Sequence, residues 1–472
     1  MRALLAIACV LAGCAEDTDS RNGSGAGSQN GMGGGAGTSN SDGFASPGGE
    51  ANAGGMLNPA AGGDTEVDRS LIWIANSEEG TVSKIDTRTL EELGRYITSP
   101  NGDGLPSRTS VALDGDMVVA NRGTSNRHPG VFGDTGVTKI YASLDSCPDA
   151  NGNGTVDTST GATNVLPWGE DECIAWHTPL PHESNRPVQW GVPGLDADVA
   201  PVWTAATSAC SPDFCTFDIF ILNGSTGAID RTIPATSPPG TPNAPDNYIP
   251  NFGPYGATVD AGGNAWFLIA NTTYLFRVDA LTYELQQWPI PMANGYGITV
   301  DSTGRIHLCG EQGLSRFDPS SATWESLQLG WGGGGATTVP GGQPGGTWEE
   351  PVSLGHNGCM TDGNGTLWAA AGADQGTAGL HAFSTDTLAA IESFPVGNVK
   401  GVSIDIDGFV WGVGSAGNGM FAQEDDWGRH AYKLDTVTGN VETFSGLNGA
   451  YSYSDMTGFG LKQAGFQPVK PE

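Results

Sequence analysis

Four segments of this chain align without gaps, and their spacing constrains the fold more than any other feature: YGATVDAGGNAWFLIA from Tyr255, YGITVDSTGRIHLCGE from Tyr296, NGCMTDGNGTLWAAAG from Asn357 and KGVSIDIDGFVWGVGS from Lys400. Tyr255 and Tyr296 lie 41 residues apart, Asn357 and Lys400 43. Each segment reads as a strand closing on Asp, a Gly-containing turn, and a second strand that opens on a bulky residue. The recurring Asp-x-x-Gly-x-x-Trp is Asp260/Gly263/Trp266, Asp362/Gly365/Trp368 and Asp405/Gly408/Trp411, with His307 in the Trp place after Asp301 and Gly304. A second half-motif follows each time, as in FRVDALTYELQQW, SRFDPSSATWESL and YKLDTVTGNVETF. Two hairpins in about 42 residues make four strands per unit, the period of a propeller blade.

The expected fold is therefore an all-β, seven-bladed propeller. Inner-strand anchors fall near Thr109, near Gly194, at Tyr255, Tyr296, Asn357 and Lys400, and in MTGFGLKQ near Gly458. The last anchor has no blade after it, while IWIANSEEGTVSKID at the start lacks an inner strand before it. The C-terminus should thus complete the first blade. The third unit is degenerate, which leaves six and eight blades as alternatives. The propeller is assigned to residues 67–465, with a short tail at 466–472.

Ahead of it, MRALLAIACVLAGC carries one Arg and then an apolar run too short to span a bilayer, the pattern of an export signal. Leu11-Ala12-Gly13-Cys14 resembles the bacterial lipobox. That resemblance implies a signal peptide over residues 1–13, acylation of Cys14 including palmitate-type chains, and stable membrane anchoring by lipid. Ala15 after Cys14 implies, by the same resemblance, the outer membrane. Residues 14–66 are rich in Gly, Ser and Asn and poor in large apolar side chains, so they read as a flexible tether.

Acidic residues outnumber basic ones 52 to 20, a formal net charge of -32 with no basic cluster. Such a surface repels phosphate backbones, so nucleic acid is not an expected partner. Six cysteines remain beyond the export segment: Cys147, Cys173, Cys210, Cys215, Cys309 and Cys359. An even number in an exported chain suggests disulfides. Cys147 and Cys173 bracket one loop, Cys210 and Cys215 flank a hairpin turn, and Cys309 and Cys359 fall on inner strands of neighbouring blades, where free buried thiols are the alternative.

The bracketed loop, CPDANGNGTVDTST, reads as a calcium loop. Asp149, Asn151 and Asn153 fill its first, third and fifth places, Gly154 the sharp-turn place, Thr155 the carbonyl place and Asp157 the ninth. Thr160 stands where the bidentate Glu belongs. A Cys147–Cys173 bridge would bring Glu172 or its neighbours alongside to replace it. The insertion at 147–173 would then hold a structural calcium, with a plain Asx-rich turn as the alternative.

The repeats WIANSEEGTVSKIDTRTLE and VVANRG with GVTKI resemble surface-layer-type propellers of the NHL and YVTN kind, and the Asp-x-x-Gly-x-x-Trp units resemble streptogramin (virginiamycin B) lyase-like propellers. The lyase resemblance implies a magnesium site at the channel, with His before inner strands and Glu closing second strands. Here those places hold Tyr255, Tyr296, Asn357 and Lys400, and Asn76, Ile269, Gly310, Ala371 and Gly414, so that reaction is not expected. Glu311 and His356 are each displaced by one residue. A lactonase-like or other hydrolytic propeller would hold a metal in the channel through Asn76, Asn121, Asn271 and Glu311; satisfying turn backbone is their alternative use.

Long insertions at 122–136, 181–193, 235–254, 325–355 and 415–430 should crowd one face. That face would carry Trp190, Tyr255, Tyr296, Trp331, Trp348, Trp427, Tyr451 and Tyr453 beside His356 and the acidic run from Glu424. Aromatics beside charges suit a glycan, peptide or protein ligand. The expectation is a lipid-anchored envelope propeller that binds through its looped face; a lyase or hydrolase with a channel metal is the alternative.

Overall fold

The chain was described from a computed structural model, covering residues 70–124, 132–192, 199–210, 215–237, 253–269, 274–291, 295–310, 312–329, 338–339, 350–351, 354–372, 378–414, 428–453 and 455–463. Blade one contains β1 (Leu71–Asn76), β2 (Thr81–Asp86) and β3 (Glu92–Ile97). Blade two contains β4 (Pro106–Val111), β5 (Met117–Thr124), β6 (Phe132–Ile140) and β7 (Ile174–Pro179). Blade three contains β8 (Ser184–Trp190), β9 (Pro201–Cys210), β10 (Cys215–Asn223) and β11 (Ile229–Thr236). Blade four contains β12 (Pro254–Val259), β13 (Ala265–Ile269), β14 (Tyr274–Val278) and β15 (Leu285–Pro289). Blade five contains β16 (Gly295–Val300), β17 (Ile306–Gly310), β18 (Gly313–Asp318) and β19 (Thr323–Gln328). A short ribbon of β20 (Thr338–Val339) and β21 (Glu350–Pro351) follows. Blade six contains β22 (Cys359–Thr361), β23 (Thr366–Ala371), β24 (Gly379–Ser384) and β25 (Ala390–Phe394). Blade seven contains β26 (Gly401–Ile404), β27 (Val410–Val413), β28 (His430–Leu434) and β29 (Val441–Ser445).

Among the described residues these are seven antiparallel sheets, each a meander in chain order. The ring is cemented between blades. Along β1, Leu71 and Trp73 pack with Val111, Met117 and Val119 of blade two, whereas Ile72 and Ile74 pack with Trp411 and Val413 of blade seven. The period-2 alternation of a strand thus serves two neighbours at once. Comparable cores lie at the other five blade junctions. Each fully buried aliphatic or aromatic side chain there contributes about 1.5–3 kcal/mol of transfer free energy. Inner strands such as β4 and β12 are buried throughout, while outer strands such as β19 are largely exposed.

Two strand assignments differ from the sequence expectation. The inner strand of blade three is β8, Ser184–Trp190, and it ends before Gly194, which lies outside the described residues. Its segment SNRPVQW hides that role behind polar residues: Asn185 is buried and donates to Thr204 Oγ1 at 2.7 Å and to the Ala205 carbonyl at 3.1 Å. Residues 181–193 therefore contain a strand rather than forming only a link between blades, and Trp190, at the far end of β8, packs between blades two and three, away from the looped face.

The second difference is the closing strand, which runs just before MTGFGLKQ. Ser77 N donates to the Gly449 carbonyl (3.0 Å), Tyr451 N to Ala75 (3.0 Å) and Trp73 N to Met456 (2.9 Å), and the Ser452 hydroxyl accepts from Ala75 N at 2.8 Å. The C-terminus thus supplies the inner edge of blade one. Beyond it, α1 (Phe459–Gln463) lies against the first-to-second-strand turns: Gln463 exchanges hydrogen bonds with Thr361, and Thr457 Oγ1 donates to the Ile404 carbonyl. A pocket at this end, lined by Leu71, Val111, Leu113, Ile406 and Phe459, has a volume of about 30 Å³, room for a water rather than a ligand.

Candidate functional site at the channel mouth

The Asp-x-x-Gly-x-x-Trp motif is a turn lock. Asp260 Oδ1 accepts from Gly262 N and Asn264 N, while its Oδ2 accepts the Trp266 indole N–H at 2.8 Å. Asp405 does the same with Trp411 at 2.9 Å, and His307 Nε2 lies 2.9 Å from Asp301 Oδ2 in the Trp place. Gly263 and Gly408 have φ of +77° and +90°, which a side chain resists. In blade six the Trp368 indole N–H has no acceptor among the described residues. These carboxylates are used up in folding the blades.

The places that resemblance assigns to catalytic histidines form the chemically distinctive cluster. Register shifts between Pro254 and Gly256, and between Gly295 and Gly297, put Tyr255 and Tyr296 at bulges. Bulges re-aim side chains, here toward one another. The following glycines allow the close approach of the next inner strand: a Cβ at Gly297 would lie 2.8 Å from Cys359 N. The closing strand adds Tyr451 and Tyr453, and the four tyrosines form one buried cluster.

Three of their hydroxyls meet. Tyr255 OH donates to Tyr296 OH at 2.5 Å, and the Tyr451 oxygen lies 2.8 Å from Tyr255 and 2.6 Å from Tyr296. Four cations surround them. The Arg108 guanidinium stands 3.9 Å from the Tyr453 ring centre and donates to the Tyr296 and Tyr453 carbonyls. Arg186 stands 4.9 Å from the Tyr255 ring, Arg122 4.4 Å from Tyr451, and the Lys400 ammonium 4.6 Å from Tyr296 and 5.3 Å from Tyr451. Lys400 also donates to the His356 carbonyl at 2.7 Å, and the His356 ring meets Tyr296 edge-on at 5.4 Å.

Electrostatics singles out one phenol. Burial and the neighbouring phenols push Tyr255 and Tyr296 well above the usual tyrosine range. Burial acts the same way on Tyr451, but the guanidinium groups of Arg186 and Arg122, together with hydrogen bonding to the Tyr255 and Tyr296 hydroxyls, overcome it and bring Tyr451 down to about 8. Burial and the Lys400 ammonium lower His356 to about 4, so its imidazole is neutral at pH 7. The cluster can hold one negative charge, on Tyr451 or on a ligand group beside it.

Two of the four expected channel metal ligands, Asn76 and Asn121, are engaged by neighbouring strands. Asn76 donates to Ser83 Oγ at 2.8 Å and to Thr81 Oγ1, and its Oδ1 accepts from Asn448 N. Asn121 donates to the Thr98 carbonyl at 2.6 Å and to Thr138 Oγ1. Both tie strands and connections together. Asn271 and Glu311 lie outside the described residues, as do Trp331, Trp348 and Trp427. The phenols, guanidinium groups and ammonium at the described mouth do not fit a divalent cation, which needs oxygen donors free of competing positive charge.

Sequence reasoning passed over Arg108, Arg122 and Arg186. Their signal was faint: each stands on a strand of polar or mixed pattern, PSRTSV, MVVANRGT and SNRPVQW, and only the scarcity of basic residues, 20 in the chain, sets them apart.

At the loop between β6 and β7, the three cysteine pairs begin with Cys147–Cys173, whose Cα atoms are 4.7 Å apart; Cys210–Cys215 and Cys309–Cys359 are also bonded. Asp149 accepts from Gly152 N, Asn153 N and Gly154 N. Asp157 Oδ2 accepts the amides of Asn151 (2.8 Å) and Asn153 (2.7 Å). Glu172 faces the loop across the disulfide, accepting from Asn151 N and Asp157 N, while Thr155 donates to Asn153 Oδ1. Its carboxylates thus face N–H donors, and among the described residues no group of three or more His, Cys, Asp or Glu side chains is arranged to hold a metal. The loop rests on blade one, where Ala162 N donates to Glu92.

No family model and no curated protein matches the chain. Solved structures do. A streptogramin B lyase aligns at 13% identity and a TM-score of 0.44, covering 73% of this chain and 87% of its own. A catalytically inactive virginiamycin B lyase from Staphylococcus aureus with quinupristin aligns at 11% identity and 0.39, covering 72% and 84%. A protein from Bacteroides uniformis described as a putative 6-phosphogluconolactonase aligns at 13% and 0.48, covering 82% and 97%. At these identities the likeness is one of fold.

Proposed function

We propose that this protein is a lipid-anchored propeller of the bacterial envelope, a binding module that takes its ligand at the channel mouth on the long-loop face. The observation that carries this reading is the cluster of Tyr255, Tyr296, Tyr451 and Tyr453 with Arg108, Arg122, Arg186 and Lys400, assembled from five blades and the chain terminus. Folding alone does not require so many buried polar groups; desolvating them costs free energy that apolar side chains would not. Meanwhile α1 occupies the opposite end.

Lipid attachment at Cys14, the outer membrane and the tether belong to this reading. Three disulfides support an oxidising compartment. A structural calcium on the loop at 147–173 belongs to it too, supported by the calcium-loop spacing of Asp149, Asn151, Asn153 and Asp157 within one disulfide-clipped loop.

The test is a binding screen of the full-length chain against neutral and acidic oligosaccharides and peptides, followed by paired variants. Lys400→Gln and Tyr296→Phe at the mouth should weaken whatever binds, whereas Asp318→Ala and Asp435→Ala, in third-to-fourth-strand turns at the other rim, should not. Equal effects from both sets would place the ligand elsewhere and end this reading.

A further inference from the structure

We infer that the ligand carries a carboxylate, held by the Tyr451 hydroxyl between the Arg122 guanidinium and the Lys400 ammonium; this rests on the channel-mouth reading above. The first reason is the direction of the hydroxyls. Each phenol has one proton: Tyr255 spends its proton on Tyr296, Tyr296 can donate to the Tyr451 oxygen 2.6 Å away, and the Tyr451 proton is then left to turn outward. Donors that receive hydrogen bonds are polarised into stronger donors.

The second reason is access and charge. Tyr451, Tyr296 and Lys400 keep 8%, 6% and 9% of their surface open, and Arg122 is half-buried. In a molecule of net charge -32 this cluster gathers four of the 20 basic residues at one point, a local attraction for an anion within a repelling surface.

The third reason is polar capacity left over. The Tyr453 hydroxyl and Arg108 Nε, both on side chains almost wholly buried, have no hydrogen-bond partner among the described residues. A buried donor without a partner is costly unless something else satisfies it. A planar carboxylate, with two acceptor oxygens and one charge, matches a phenol donor flanked by two cations.

The charged and titratable groups around Tyr451 are Arg122 of β5, Arg186 of β8, Tyr255 of β12, Tyr296 of β16, Lys400 before β26 and Tyr453. A bound carboxylate and a Tyr451 phenolate repel, so affinity should fall above the pH at which that phenol ionises.

The experiment is calorimetric titration of the full-length chain with oligogalacturonate, oligoalginate and an acidic peptide, each beside its methyl-esterified form. At least one acid should bind and its ester bind tenfold or more weakly. Tyr451→Phe and Lys400→Gln should each weaken the acid about ten- to a hundredfold, the scale of a charge-assisted hydrogen bond. Circular dichroism and thermal melting check that both variants fold. If the esters bind as well as the acids and mouth variants still weaken them, the carboxylate inference falls and the channel-mouth reading stands. If acids bind but mouth variants leave them unchanged, both fall. Binding of no acid overturns the inference.

Discussion

Trp411→Phe and Trp368→Phe make the same change in the same motif, yet the structure predicts unequal costs. Both rings are buried at blade junctions, 0% and 5% exposed, so the loss of ring volume is similar. The difference is the indole N–H. Trp411 donates to Asp405 Oδ2 at 2.9 Å, and Asp405 is itself buried, so phenylalanine strips a carboxylate oxygen of its donor. Hydrogen bonds to charged groups are worth about 1.5–3 kcal/mol, and a buried acceptor left bare forfeits that full amount. Among the described residues Trp368 has no acceptor for its N–H, so phenylalanine there removes an unsatisfied donor. Equilibrium urea denaturation with disulfides intact should show Trp411→Phe less stable than Trp368→Phe by about 2 kcal/mol. Equal losses would mean that the Asp–Trp bond does not lock the blade turn.

Other expectations follow from the same geometry. Cys309→Ser with Cys359→Ser opens a bridge 50 residues long between blades five and six, a loss of about 4 kcal/mol on the chain-entropy account, read as a lower urea midpoint. Burial pushes Asp455 up to about 6, so the folded chain binds its proton more tightly than the unfolded chain does. That contribution is fully present below the unfolded value of 3.8 and is lost as the pH rises through 6; Asp455→Asn should flatten the stability profile across that window, by up to about 3 kcal/mol. Calcium should raise the melting temperature of the wild type and not of Asp149→Ala with Asp157→Ala, and an unchanged wild-type melting curve would remove the metal from the account.

The fold was legible because its signal repeats. Asp, Gly and Trp recur at fixed offsets since each unit needs the same turn lock, and four copies let the period be measured. Blade three was misplaced because β8 lacks that lock and buries Asn185 and Arg186, which sequence patterning reads as loop. The closing strand was placed slightly late because AYSYSDM pairs through backbone and the Ser452 hydroxyl rather than through an apolar alternation. At the site, the aromatic members could be read from their repeat position. Their convergence with Arg108, Arg122 and Arg186 could not, because those residues come from blades two and three, outside the four aligned segments, and meet the tyrosines only once the ring closes.

The central claim, a ligand-binding mouth built around Tyr451, is tested most directly by titrating phenolate absorbance of the full-length chain with and without the acidic oligosaccharide it binds. The account predicts one tyrosine ionising near pH 8, absent in Tyr451→Phe and shifted upward by the ligand. A ligand that binds while leaving every tyrosine titration where it was would contradict it.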